Sequence, residues 1–135
     1  MTTTAYKDFT VTRGDAFKPG VITLTAQDSS GAVVPVPVSG FSDLFLTVRK
    51  AKSAGEPDDT DAGVVARIGL TLNAQGVINV VGSNQIEPVI HGSVVRTWLQ
   101  GEYFYDLSGH LAVDGEPCRP AKGRILMGWS ASRTP

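Results

Sequence analysis

From residue 101 the chain reads Gly-Glu-Tyr-Phe-Tyr-Asp-Leu-Ser-Gly-His-Leu-Ala-Val, and few chain conformations satisfy that pattern. Tyr103, Tyr105, Leu107, Leu111 and Val113 fall on one side of an extended backbone, and Glu102, Asp106, Ser108 and His110 on the other. Alternation with a period of two and an aromatic-rich face marks a half-buried β-strand. A turn-rich interval containing Asp114-Gly115 and Glu116-Pro117 follows, and then a run from Gly123 to Ser130 that puts Ile125, Met127 and Trp129 on one face. Two strands joined by a polar loop predict a hairpin at the centre of the fold.

The rest of the chain repeats this texture. Residues 6 to 12 predict a first strand with Phe9 and Val11 on one face. Arg13-Gly14-Asp15 follows; it matches an integrin-recognition tripeptide, but two turn-forming residues between strands account for it more simply. From Gly20 to Asp28 a second strand turns Ile22, Leu24 and Ala26 inward, and Asp28-Ser29-Ser30-Gly31 is a turn. Residues 33 to 38 are extended but carry Pro35 and Pro37, which cannot donate to a ladder, so they belong at an edge or crossing. Asp43 to Lys50 sets Leu44, Leu46 and Val48 against Phe45, Thr47 and Arg49. Val64 to Leu72 places Val64, Ala66, Ile68, Leu70 and Leu72 on one face, with a short hairpin connection at Asn73-Ala74-Gln75-Gly76 before the strand at 77 to 81. Ser83-Asn84-Gln85-Ile86-Glu87 carries a cap residue and a later acid, as at a helix start, although Pro88 and Gly92 limit any helix to a turn or two.

Some seven strands with regularly spaced turns predict an all-β fold: an immunoglobulin-like antiparallel β-sandwich with a short helical crossover near residues 83–99. At 135 residues the chain is expected to form one domain, with extended tails at 1–5 and 131–135 and a mobile loop at 51–63. The Cys…Trp…Cys set of true immunoglobulin domains is missing, because Cys118 is the single cysteine and no intramolecular disulfide is possible.

Composition narrows the function. Twelve basic and 13 acidic residues give a formal net charge of -1, without the concentrated basic surface that nucleic acid demands. No window approaches the roughly 20 apolar residues needed to cross a bilayer, and the amino terminus lacks a secretory signal, so a soluble protein made in the cytoplasm is expected. Four carboxylates between Glu56 and Asp61 miss the calcium-loop spacing, since Gly63 falls where an oxygen ligand is needed and no Glu follows at the required distance. His91 and His110 have no partners at metal-ligand spacing. Asp106, Ser108 and His110 look like a catalytic triad, but alternate positions on a strand lie roughly 6.5 to 7 Å apart, too far for a hydrogen-bonded relay. No cofactor, metal, small-molecule substrate or enzymatic activity is therefore expected.

Trp98, Tyr103, Phe104, Tyr105 and Trp129 offer flat rings of the kind a carbohydrate platform uses, but core packing is the stronger reading for Tyr103, Tyr105 and Trp129. Phe45, Phe104 and Leu126 fall on outward faces and, with Trp98, make up the expected partner-contact surface.

The order of several short motifs carries a family resemblance. Arg-Gly-Asp-Ala-Phe at 13 to 17, Asp-Ser-Ser-Gly-Ala at 28 to 32 and Thr-Val-Arg-Lys at 47 to 50 come first. Leu-Asn-Ala-Gln-Gly-Val-Ile-Asn-Val at 72 to 80, Gly-Glu-Tyr-Phe-Tyr-Asp-Leu at 101 to 107 and Asp-Gly-Glu at 114 to 116 follow. This arrangement resembles the immunoglobulin-like amino-terminal domain of upper baseplate and related tail adsorption proteins of tailed bacteriophages. The resemblance implies a non-enzymatic structural virion protein, made in the host cytoplasm and held in several copies by other virion proteins in a symmetric assembly. In that family the domain precedes a helical or fibre region with the receptor-binding tip, whereas this chain stops soon after the last strand. An adaptor or attachment module of tail, baseplate or neck is thus expected, the alternatives being a capsid decoration protein or a carbohydrate-binding module in host adsorption.

Overall fold

A computed structural model describes residues 5–12, 15–27, 29–99 and 101–128. Twelve strands lie among them. The first five are short: β1 (Ala5–Tyr6), β2 (Phe9–Thr12), β3 (Ile22–Thr23), β4 (Thr25–Gln27) and β5 (Val33–Pro35). Next come β6 (Phe41–Ser53), β7 (Glu56–Pro57), β8 (Val64–Gly69), β9 (Gly76–Gly82) and β10 (Gln85–Ile90). A one-turn helix, α1 (Gly92–Val95), leads to β11 (Gly101–Leu111) and β12 (Pro117–Gly128).

The expected central hairpin is present, with β11 antiparallel to β12 from Gly101↔Met127 to His110↔Pro117. On its other side β11 pairs with β6, and the far edge of β6 carries β7 and β8. β1 and β2 run parallel to β12 and close the opposite edge of this sheet. The second sheet has the order β3-β10-β9, and β4 and β5 form a separate two-stranded ladder. Two sheets packed through an apolar interior, with the first strand shifted onto the last, make an immunoglobulin-like antiparallel β-sandwich.

Alternation explains the core. Leu44, Leu46 and Val48 of β6, Tyr103, Tyr105 and Leu107 of β11, and Ile125 and Met127 of β12 project from one sheet; Ile78, Ile86 and Ile90 project from the other. Phe9 and Val11 of β2 pack against this core as the pattern predicts. Tyr103 opens β11 and its hydroxyl donates to the Leu99 carbonyl at 2.8 Å, the tyrosine-corner arrangement that ties a strand to the chain entering it. Two residues on, where an immunoglobulin domain carries its second disulfide cysteine, stands Tyr105. Its ring meets Phe9 and Phe17 at centroid distances of 5.6 and 6.4 Å, so aromatic packing occupies the place of a cross-link.

Several expectations are corrected. Val113 lies in the hairpin turn beyond the end of β11 and is 88% exposed. Leu70 and Leu72 are exposed because β8 ends at Gly69 and the chain bends there, so the alternation that buries Ala66 and Ile68 no longer applies. Asn73 to Gly76 is not a hairpin within one sheet; it carries the chain from β8 in one sheet to β9 in the other. The Asn73 and Gln75 side chains accomplish the crossing by binding the main chain of Arg67, with Gln75 Oε1 accepting at 2.7 Å and Asn73 Nδ2 donating at 3.1 Å.

The helical start expected at Ser83 is instead the turn between β9 and β10. Ser83 and Asn84 use their carbonyls to accept the Val38 and Leu24 amides, at 2.7 and 2.8 Å, which fixes the turn against the residue that follows β3 and the 3-10 turn at Val38–Gly40. Pro88 lies within β10, and the reason it is tolerated follows from the ladder. Ile90 exchanges both main-chain hydrogen bonds with Phe17, at 3.0 Å each, so alternation points the Pro88 nitrogen to that same side. There the neighbouring chain is unpaired between Phe17 and β3, and no donor is needed. The helical crossover is thus reduced to α1 within 83–99.

Residues 51–63 hold the end of β6, a turn into β7, and a single 3-10 turn at Asp61–Gly63. Arg13, Gly14, Asp28 and Trp129, and the terminal tails apart from Ala5, lie outside the described residues.

Candidate functional site

The side chains that β6, β11 and β12 turn away from the core form one face, and register sets its pattern. Phe104 sits between Arg49 and Arg124, Asp106 between Thr47 and Lys122, and His110 between Asp43 and Pro117. Phe45 lies opposite Ser108, two alternations along the sheet from Phe104. Phe45 and Phe104 are half-buried and Leu126 is 45% exposed. The three share a face, but charged residues separate them and no continuous apolar patch forms.

Trp98 does not belong to this face. It lies 2% exposed at the bend after α1 and stacks on Tyr103 at 5.2 Å, so it is a core residue rather than a contact residue. Helical patterning is too short at α1 to reveal which way the indole turns.

Charge pairing orders the face. Arg124 is its hub: Nη1 donates to Glu102 at 3.1 Å, Nη2 to Asp8 at 3.3 Å, and its amide to Asp8 at 2.9 Å. The hydrogen bond donated by the Arg124 main-chain amide is the leading reason the Asp8 carboxyl is held below its ordinary range, and the Asp8 carboxylate in turn raises the guanidinium. Glu102 also accepts the Gly55 amide at 2.8 Å, which secures the β6-β7 turn to β11. Arg49 donates to the Thr60 and Asp58 carbonyls at 3.0 and 3.3 Å. Asp58 accepts from the Thr60 hydroxyl at 2.6 Å, the first cause of its own lowered carboxyl. The acidic run is therefore folded around its own turn, and among the described residues no group of three or more His, Cys, Asp or Glu side chains is placed to hold a metal ion.

Two concavities of about 400 Å³ each open on this face. Arg49, Thr47, Phe104, Asp106, Lys122 and Arg124 help line the first. Asp43, Phe45, Arg67, Ser108 and His110 help line the second, and Arg119 borders both. In the second, the Arg67 guanidinium lies over the Phe45 ring at 4.3 Å, and His110 Nδ1 meets Asp43 at 3.0 Å. The Asp106, Ser108 and His110 set divides as strand geometry requires: Asp106 faces Arg119 at 3.8 Å, and His110 takes its carboxylate from the neighbouring strand. The His110 and Asp43 pairing escaped sequence reading because the two residues are 67 positions apart and meet only through the β6-β11 register.

Chemically, such a face offers paired charges around half-buried rings. Among the described residues no helix is long and apolar enough to cross a membrane. Comparison with protein-family models gives no match, and none of the curated proteins matches. Among solved structures the chain is similar to the titin M3 domain, with 12% identity, 94% of each chain covered and a TM-score of 0.38.

Proposed function

We propose that this chain is a non-enzymatic structural module of a tailed-phage virion, an adaptor or attachment protein of tail, baseplate or neck held by protein contacts through the outer face of β6, β11 and β12. The observation that carries this reading is the ordering of that face. Arg124, Asp8, Glu102 and Arg49 are already fixed by hydrogen bonds, so a partner meets a rigid charge pattern around Phe104 without having to order it. Aromatic and arginine side chains at the centre of a patch, with charges at its rim, supply affinity and orientation respectively. The motif order described above supports the virion assignment. A capsid decoration protein would use the same face. The carbohydrate reading is weaker, since Trp98 and the rings of Tyr103 and Tyr105 are in the core and, among the described residues, no second aromatic ring pairs with Phe104.

Mass spectrometry of purified particles tests the assignment, and the chain is expected among the virion proteins in multiple copies. Particles assembled with the Phe104→Ala chain should lose it while the purified variant stays folded. Absence of the parent chain from particles would overturn the virion assignment; retention of the variant at parental occupancy would overturn the choice of face.

A further inference from the structure

The second sheet has an open edge with an unusual composition. β9 reads Gly-Val-Ile-Asn-Val-Val-Gly over residues 76 to 82, without a charge or a proline. Its register with β10 shifts at Val81, but from Gly76 to Val80 the ladder is regular, and a regular uncharged edge is a template for another strand that proteins normally guard against. Several other edges among the described residues are guarded. β7 is Glu56-Pro57, β5 ends in Pro35, β3 has two residues, and the Arg67 main chain of β8 is capped by Asn73 and Gln75. On β9, Val80 and Val81 are 56% and 50% exposed, and Asn79 is exposed beside them.

The strand is also close to a palindrome about Asn79. Reversed, Gly-Val-Ile-Asn-Val-Val-Gly differs only in exchanging Ile78 with Val80, so an antiparallel copy would present like to like. The main-chain directions agree with such a pairing. Because Ile90 turns both its main-chain groups to Phe17, its β9 partner Gly76 points away from β10, and so by alternation do Ile78 and Val80. Their amides and carbonyls face the open edge, whereas those of Val77 and Asn79 face β10.

We infer that β9 pairs with β9 of a second copy of this chain, antiparallel about a two-fold axis through Asn79. In that register Ile78 and Val80 exchange hydrogen bonds with Val80 and Ile78 of the other copy. Asn79 meets its own symmetry mate as a close pair outside the hydrogen-bonded positions, with Cα atoms about 4.5 Å apart. An isologous contact of this kind closes at two subunits and does not propagate. Its area is small beside a standard interface of about 1,600 Å², so the dimer is expected to be weak, with micromolar or weaker dissociation. The contact lies on the opposite sheet from the face of the proposed function and goes beyond that reading.

Sedimentation equilibrium of the full chain, followed to on the order of 1 mM, should show the mass rise from one chain toward two. The Asn79→Asp and Asn79→Lys chains each place like charges directly opposite across the axis and should weaken association by about tenfold. An equimolar mixture of the two should restore it, because only the mixed pair sets opposite charges together. In a Cys118→Ser background, the Asn79→Cys chain should cross-link on mild oxidation, since the expected Cα separation lies within disulfide range. A parent chain that is monomeric throughout overturns the inference. So does a dimer that both charged variants leave unchanged, or a mixture that associates no better than either variant alone.

Discussion

Replacing Tyr105 by Phe removes one oxygen, and both consequences can be worked out. The Tyr105 hydroxyl donates to the Lys7 carbonyl at 2.7 Å, across 98 positions of sequence, and the side chain is 4% exposed. Losing a part-buried neutral hydrogen bond costs about 1 kcal/mol. In a chain of this length that lowers Tm by about 3–5 °C. The second effect depends on pH. Burial, reinforced by the negative charge of Asp8, pushes the Tyr105 hydroxyl from its ordinary value near 10 up to about 12. The folded state thus keeps the proton over a range in which the unfolded chain has released it. A raised folded-state pKa gives a contribution fully present below pH 10 and lost as pH rises toward 12, at about 1.4 kcal/mol per pH unit and on the order of 2–3 kcal/mol in all. Urea unfolding at intervals from pH 7 to pH 11.5 measures both, and the difference between parent and variant cancels the lysines and other tyrosines. The parent should lead by about 1 kcal/mol at pH 7, and the lead should shrink and reverse above pH 10. A difference independent of pH would refute the assignment of Tyr105 as a buried neutral phenol.

Other substitutions test the remaining placements. Trp98→Ala should cost about 3–5 kcal/mol in the same unfolding assay, whereas Leu72→Ser should fall within about 0.5 kcal/mol of the parent, reversing an order based on assumed exposure. Gly123→Ala would drive a Cβ into the Lys7 carbonyl. It should cost about 1–3 kcal/mol, with amide exchange accelerated first at Phe9 and Val11. Asp8→Asn removes a solvent-exposed carboxylate, so global stability should scarcely move. The Arg124 side chain, still held by Glu102, should nevertheless show broadened or doubled NMR signals as its second anchor is lost.

Much of this fold was legible because period-two alternation is a local property. The core-facing residues of β6 and of β11 as far as Leu107, the inward turn of Leu24, and the edge position of the proline-bearing β5 all follow from residues read in order, whereas Thr47, on the outward side of β6, is buried. The failures fall where alternation continues on paper after the strand has ended. Val113 and Leu72 keep the parity of Tyr105 and Ile68, but parity says nothing once the backbone bends. Ser83-Asn84 misled for a related reason: a polar pair can cap a helix or make a turn, and distant Leu24 and Val38 decide which. The candidate site was half legible. That Phe45, Phe104 and Leu126 turn outward is a matter of parity, but the ion pairs that surround them join residues 67 and 116 positions apart.

The N-terminal strands link the core to that face. β1 and β2 lie parallel on β12, and Lys7 and Asp8 between them form the hinge of the arrangement. On the inner side Tyr105 binds the Lys7 carbonyl, and Gly123 leaves room for that carbonyl to approach. On the outer side, one residue later, Asp8 holds both the amide and the guanidinium of Arg124. A domain with a disulfide between its sheets can secure its core independently of its first strand. Here the aromatic cluster that occupies that position includes Phe9 of β2 itself, so core packing and the docking of the first strands are a single event. Any substitution that loosens Tyr105 or crowds Gly123 therefore also releases Asp8 from Arg124. The charge pattern around Phe104 is set as much by the interior as by the surface, which is why core variants should disturb that pattern before they unfold the domain.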